Sequence, residues 1–368
     1  MVGLSRKSLR DVDITVLLAP IALTLLGCIG IYSTAPNLWK KQILFLLVGI
    51  VVALALTFTD YRKILVNVAP VFYVLTIFLL VLVLTPLGKT VNGNKSWLSI
   101  GGFGFQPSEF AKLAAILMLA RYIGQSRGQK TDRDRPLSLR DMAIMGGIVL
   151  APLILVRMEN DTGTMLTFCA ILATFYFMAG IRKWMLAVGI IALPLVLIAA
   201  FPHLKVYQQQ RIKAVLQPSQ VDPRGFGWQT IQSVIAVGSG GPTGKGITNG
   251  TQGRLGFLPN AWSDFIGATL AEEIGLVGML FMMALYLALL WRLFSIALSA
   301  RERTGALMVM GLIGLMAFHI VCNLGMVVGL MPIMGIPLPL VSQGGTSVIA
   351  IFAGLGLALS VRLQRFVN

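Results

Sequence analysis

A chain of 368 residues that is 56% hydrophobic and only 12% charged is too apolar for a soluble domain of average composition. Its formal net charge of +16 suggests nucleic acid, but the distribution of that charge argues against such a partner. Lys and Arg gather in alternate short loops, as the topology of a membrane protein requires.

Ten apolar runs have the length of bilayer-crossing helices, at roughly 14–34, 40–59, 64–86, 107–124, 141–157, 162–180, 184–202, 274–293, 305–330 and 345–362. The expected fold is an all-α integral membrane protein, a single polytopic domain over residues 1–368. The first run has no small-x-small cleavage site and is expected to stay as a helix. The loops holding Arg6, Lys7 and Arg10, Arg62 and Lys63, Arg121 to Arg140, Arg182 and Lys183, Arg292 to Arg303, and Arg362 and Arg365 contain 18 basic residues. The opposite short loops hold 5: Lys40, Lys41, Lys89, Lys95 and Arg157. The excess places both termini in the cytoplasm. Cys28, Cys169 and Cys322 each fall inside a run without pairing or metal spacing, and His203 and His319 are isolated.

The first break in the rhythm is 87–106, "LGKTVNGNKSWLSIGGFGFQ", glycine-rich and without clear apolar periodicity. Next, "QPS" opens the fourth run, with Pro107 suited to a first helical turn. Glu109 and Lys112 follow, three apart and so on one face. Ionisable groups inside a span are functional candidates by default, and a structural ion pair is the alternative. The stretch 125–140 reads as a solvated cytoplasmic loop.

Residues 203–273 form the second break, a large extracytoplasmic loop between helices 7 and 8. Long connections of this kind tend to carry function, and its Trp and Phe residues favour ordered structure at the membrane surface. Within it, 203–217 has the spacing of a short amphipathic helix. "GSGGPTGKGITNG" is similar to a phosphate loop but fails the pattern on both sides of Lys245, where Ser239 and Gly246 stand at required positions. A nucleotide site is rejected. Glycines that let backbone N–H groups approach an anion remain.

"GFLPNAWSDFIGATLAEEIG" (256–275) contains three acids just before an apolar run. Asp264 reads either as a helix N-cap or as a solitary functional carboxylate. Glu272 lies roughly 12 Å further along a continuous helix, poorly placed for a glycosidase-type pair, whose carboxyls stand about 5–9.5 Å apart. One carboxylate with several cations on the outer face of a membrane suits sugar transfer from a lipid diphosphate. The leaving group is already a stable anion, so a single base for the acceptor hydroxyl is sufficient. Lys112, Arg211 and Lys245 are the available cations.

Nearly end to end, the chain resembles the SEDS proteins (shape, elongation, division, sporulation). The resemblance rests on "FQPSEFAKL" (105–113), "YQQQRI" (207–212), "QSVIAVGSGGPTGKGITNGTQGRLGFLP" (232–259), "DFIGATLAEEIGLVG" (264–278) and "GIPLPLVSQGGTS" (335–347). It implies a ten-helix polymerase of the bacterial plasma membrane, a peptidoglycan glycosyltransferase that joins lipid II disaccharides into glycan strands with inversion. It also implies membrane lipid, the growing strand and a class B penicillin-binding protein, the transpeptidase, as partners.

By the same resemblance Asp264 is the catalytic base, and Lys112 and Arg211 hold the diphosphate; Gln208, within "YQQQRI", and the cation Lys245 are further candidate substrate contacts. Glu109 serves cavity electrostatics or, with Asp264, a divalent cation such as Mg or Mn. Three departures stand out: Asn260, Ala261, Trp262 and Ser263 replace the usual Glu-x-His-Thr. Glu159 and Asn160 alter the motif before Asp161, and Gln343 replaces an aromatic. The "GTQ" at 250–252 and the short termini favour the elongation type. Two other classes stay open, a lipid II flippase and a non-catalytic scaffold for the transpeptidase.

Overall fold

The computed structural model describes residues 13–91, 93–100, 103–126, 137–204, 206–216, 222, 225 and 227–366. Arg6, Lys7 and Arg10, most of the basic 125–140 loop, Lys205 and Phe226 lie outside the described residues.

Every apolar run forms a helix. These are α1 (Ile14–Thr34), α2 (Trp39–Phe58), α3 (Tyr61–Leu84), α4 (Pro107–Ser126), α5 (Leu139–Met158), α6 (Thr162–Ala179), α7 (Lys183–Ala200), α10 (Ile266–Leu298), α11 (Arg303–Val327) and α12 (Gly345–Leu363). Eight of them are long and apolar enough to cross a membrane; α4 and α7 are not among the eight. The reason in α4 is visible in its sequence, since Glu109, Lys112 and Arg121 interrupt it. The expected count of ten spans is therefore not established. The membrane class is clear from the large side chains that point outward, among them Val71, Val74 and Phe78 on α3 and Leu280, Phe281 and Leu287 on α10. Such faces suit lipid and would be costly in water.

The buried helix α12 forms the centre of the bundle. It lies along α2 and is pinned at both ends by hydrogen bonds. Gln42 Nε2 donates to the Ser342 carbonyl at 3.1 Å at one end, and Ser360 Oγ to the Thr59 carbonyl at 2.6 Å at the other. At the basic end of the bundle, Asp13 caps α1 through Thr15 N and accepts from both Arg292 and Arg362. This ties the start of α1 to the ends of α10 and α12.

Two segments depart from the simple reading. The segment between α3 and α4 contains a small antiparallel sheet, β1 (Gly88–Val91), β2 (Asn94–Ile100) and β3 (Phe103–Phe105), in the order β1-β2-β3. The all-α expectation misses it because two of the strands are only three or four residues long and glycines lie between them, leaving little alternation to detect. The long segment between α7 and α10 contains α8 (Val206–Leu216), close to the expected amphipathic helix, and α9 (Trp228–Gly240).

The helix α10 is two helices joined at Gly275, whose φ of 67° and ψ of −167° break the ladder. Leu276 N and Val277 N donate instead to the carbonyls of Gly241 (2.9 Å) and Pro242 (3.0 Å). A glycine is required here, because φ is positive and a Cβ would collide with Gly244 N. The arm before the kink presents Asp264, Glu272 and Glu273. The part after it is the apolar span.

Candidate active site

Hydrogen bonds to its backbone from two neighbouring segments hold the Asp264 stretch in place. Asn323 Nδ2 on α11 donates to the Asp264 carbonyl at 2.8 Å and to that of Ile336 at 2.8 Å. Ser342 Oγ donates to the Ser263 carbonyl at 2.7 Å, and Gln343 N to that of Trp262 at 3.0 Å. The N-cap of α10 is Phe265, which makes no side-chain cap bond. The helix-cap reading of Asp264 therefore fails, and its half-buried carboxyl is left for other work. Burial, reinforced by the Asp161 charge, pushes that carboxyl up to about 6; Ser263 and Arg211 act in the opposite direction.

Glu109 and Lys112 form a buried pair at 2.7 Å on the first turns of α4. Asp161, the N-cap of α6, accepts from Thr164 N at 2.9 Å, Thr164 Oγ1 at 2.8 Å and Gln106 Nε2 at 3.4 Å. Burial raises its carboxyl despite the two Thr164 bonds, and Lys112 and Glu109 are its charged neighbours. Asp161 is thus the electrostatic link between the α4 pair and Asp264.

On α8, Gln208 and Arg211 share a face by their spacing of three. Gln208 Nε2 reaches Thr162 Oγ1 at 3.2 Å and Arg211 Nη1 the Ile333 carbonyl at 3.0 Å. The structure thereby assembles Glu109, Lys112, Asp161, Gln208, Arg211 and Asp264 from separate stretches of chain.

Lys245 is placed elsewhere. Its ammonium pairs with Glu272 at 2.6 Å and contacts Thr251 Oγ1 at 3.3 Å. The fully buried Glu272 also accepts from Thr251 N at 2.8 Å, Thr251 Oγ1 at 2.9 Å and Gln252 N at 3.1 Å. Glu273 accepts from Ser33 Oγ. Lys245 N and Gly246 N donate to the carbonyls of Glu272 and Glu273 at 2.9 and 3.0 Å. The glycine-rich turn thus closes on the protein's own pair of acidic residues. Glu272 and Glu273 organise that turn and stand apart from Asp264, which separates the roles of the three acids in this short stretch.

Sequence reasoning gave Asp161 no role, although Asp-x-x-Thr just before an apolar run is a readable cap signal. It also missed Glu159. This side chain is buried, and neither carboxylate oxygen has a hydrogen-bond partner among the described residues. Burial, then the neighbouring Asp161, pushes it up to about 8.

The described residues contain no group of three or more His, Cys, Asp or Glu able to hold a metal ion. Glu109 is already matched by Lys112. Among the described residues the donor set does not make a closed metal site.

Residues 14–366 match the family model described as "Cell cycle protein", which covers FtsW, RodA and SpoVE. The chain belongs to this family, the SEDS proteins. Its relatives include the peptidoglycan glycosyltransferase MrdB of Escherichia coli K12, 38% identical over 96% of this chain and 94% of the relative. Another is the peptidoglycan glycosyltransferase RodA of Treponema pallidum, 31% identical over 98% of this chain and 99% of the relative. A chain from a structure described as "structural coordination of polymerization and crosslinking by a peptidoglycan synthase complex" superimposes with a TM-score of 0.81. It shares 34% identity and covers 97% of this chain and 99% of its own. The rod shape determining protein RodA of Thermus thermophilus superimposes with a TM-score of 0.69 at 29% identity, covering 97% of this chain and 98% of its own. Like other SEDS proteins, this one is a multi-pass membrane protein.

Proposed function

We propose that this chain is a peptidoglycan glycosyltransferase that polymerises glycan strands from lipid II, serving cell shape, with Asp264 as its base. The carrying observation is a carboxylate that caps no helix, raised to about 6, beside Arg211 and Asp161 and linked through Asp161 to Lys112. Asp264 takes the proton of the acceptor sugar hydroxyl. The oxygen attacks the anomeric carbon of the donor, and the bond to the lipid diphosphate breaks with its electron pair leaving on phosphate. Lys112 and Arg211 neutralise the departing charge. One displacement inverts the anomeric centre.

The same proposal places both termini in the cytoplasm, because the described basic residues Arg62, Arg292 and Arg362 gather at the end of the bundle away from Asp264. A class B penicillin-binding protein is the partner that crosslinks the product. Support for this pairing comes from the synthase-complex relative, in which polymerization is coordinated with crosslinking. If a divalent cation takes part, substrate oxygens must supply most of its ligands, since Mg²⁺ commonly relies on one or two carboxylates plus phosphates.

The test is purified protein with labelled lipid II, with and without its transpeptidase, comparing wild type with Asp264→Ala. Glycan polymer made by wild type and lost in the variant supports the enzyme. Lipid II scrambling across liposomes without polymer would make the protein a flippase instead. Transpeptidase stimulation with neither activity would make it a scaffold.

A further inference from the structure

At the end of the bundle away from Asp264 there is a recess of about 110 Å³ between α3, α4 and α11. Its polar lining is Arg62, Arg121, Gln125, Glu302 and Thr304, with Leu65 and Val66 forming the apolar wall. Arg62 Nε stands 2.9 Å from Glu302 Oε1, and the Arg62 guanidinium lies over the ring of the buried Tyr61. Arg62 is thus fixed in orientation. Arg121 is half-buried and has no ion-pair or hydrogen-bond partner among the described residues. Among the described residues, Glu302 and the nearby Asp60 act on Arg62, which leaves Arg121 as the unmatched positive charge of the lining.

Two features give the recess its shape. Residues Ile64–Val68 of α3 are a π-helical turn, a widened coil often found at functional sites. This turn carries Leu65 and Val66 of the wall. On the other side Gly124 lets α4 approach α11 so closely that a Cβ would collide with Thr304 Oγ1. Above the recess, exposed apolar side chains continue along α3: Val66 is 51% exposed, and Val71, Val74 and Phe78 follow. A phosphate-sized basic recess therefore opens beside an apolar track that climbs into the bilayer.

We propose that this recess binds the phosphate headgroup of an anionic phospholipid of the cytoplasmic leaflet, with its acyl chains lying along α3. Arg121 supplies the charged contact, and Arg62, positioned by Glu302 and Tyr61, supplies the second guanidinium. Basic pockets between helices at a cytoplasmic face are suited to anionic headgroups, and planar guanidinium groups suit phosphate oxygens. The leaflet rests on the orientation proposed above. The binding test uses neither lipid II nor polymerisation, so its failure is separable from failure of the enzymatic reading.

The experiment is native mass spectrometry of the full-length protein in detergent, with dioleoylphosphatidylglycerol or dioleoylphosphatidylcholine added. One phosphatidylglycerol should be retained in preference to phosphatidylcholine. Arg121→Gln should lower that retention about fivefold, the worth of one basic side chain at an anionic surface, without changing Tm in lipid-free detergent. Should the variant not fold, wild-type Tm alone decides: it must rise with phosphatidylglycerol and not with phosphatidylcholine. Equal retention of the two lipids, or unchanged retention in Arg121→Gln, overturns the proposal. So does displacement of the lipid by an equal concentration of sn-glycerol 3-phosphate, which would make the recess a site for free phosphate.

Discussion

Asp161 and Asp264 come from separate loops, one joining α5 to α6 and the other preceding α10, and the Asp161 charge makes Asp264 harder to ionise. A base works only when unprotonated. With Asp264 near 6, kcat/KM should be flat above that value and fall about tenfold per pH unit below it. Asp161→Asn keeps a capping oxygen for Thr164 but removes the like charge. The acid limb of its profile should therefore move to lower pH. A limb that stays in place would show that another group titrates.

The two lysines should separate binding from scaffolding. Lys112→Met alone strands the buried Glu109 charge, which commonly costs about 3–5 kcal/mol, so the informative variant is Glu109→Gln with Lys112→Met. It should melt near wild type yet lose on the order of 100-fold in polymerisation, as a lost transition-state charge contact does. Lys245→Met should do the reverse. Glu272 keeps its donors from Thr251 and Gln252, so stability falls by about 3 kcal/mol or less and KM for lipid II changes little. A large KM effect from Lys245 would return the glycine-rich turn to the substrate site.

What the sequence revealed, and what it hid, follows from the range of each interaction. Helix positions were legible because bilayer length and apolarity are local properties of a run, and Glu109 with Lys112 was legible because three residues make a face. The kink at Gly275 was half legible: the eighth apolar run begins at 274, next to the observed break. Long-range pairing was not legible. Nothing local in "GSGGPTGKGITNG" announces that its N–H groups will close on Glu272 and Glu273. Nor does Asp161 announce that it will stand between Lys112 and Asp264. Lys245 was grouped with Lys112 and Arg211 on charge alone, and charge does not encode distance.

Glu159 offers a test through stability. Its carboxyl rises from 4.5 to about 8 on folding. Between those values the folded state holds a proton that the unfolded chain has released, so stability falls as pH rises through this window. Glu159→Gln is nearly isosteric and never ionises. It should therefore raise Tm relative to wild type at pH 8, with the difference shrinking towards pH 5. The gain at pH 8 is on the order of a few kcal/mol. Equal shifts at both pH values would mean that the folded-state carboxyl ionises as it does in the unfolded chain, its charge held by a partner.

Gly275 is where the backbone itself bears the strain of joining the acid-bearing arm to the span. An alanine there meets two penalties: a backbone at φ 67° and ψ −167°, a region held almost solely by glycine that costs other residues about 1–3 kcal/mol, and a Cβ collision with Gly244 N. Relief requires displacing the 241–246 turn, and with it the donors to Glu272 and Glu273. Gly275→Ala should lower Tm steeply and expose the turn to limited proteolysis. Gly147, inside α5 with open space around its Cβ position, is the control. Gly147→Ala should leave Tm unchanged or raise it by the equivalent of about 0.5–1 kcal/mol. If the two variants behaved alike, the kink would be a tolerance of the helix rather than the hinge point that presents Asp264.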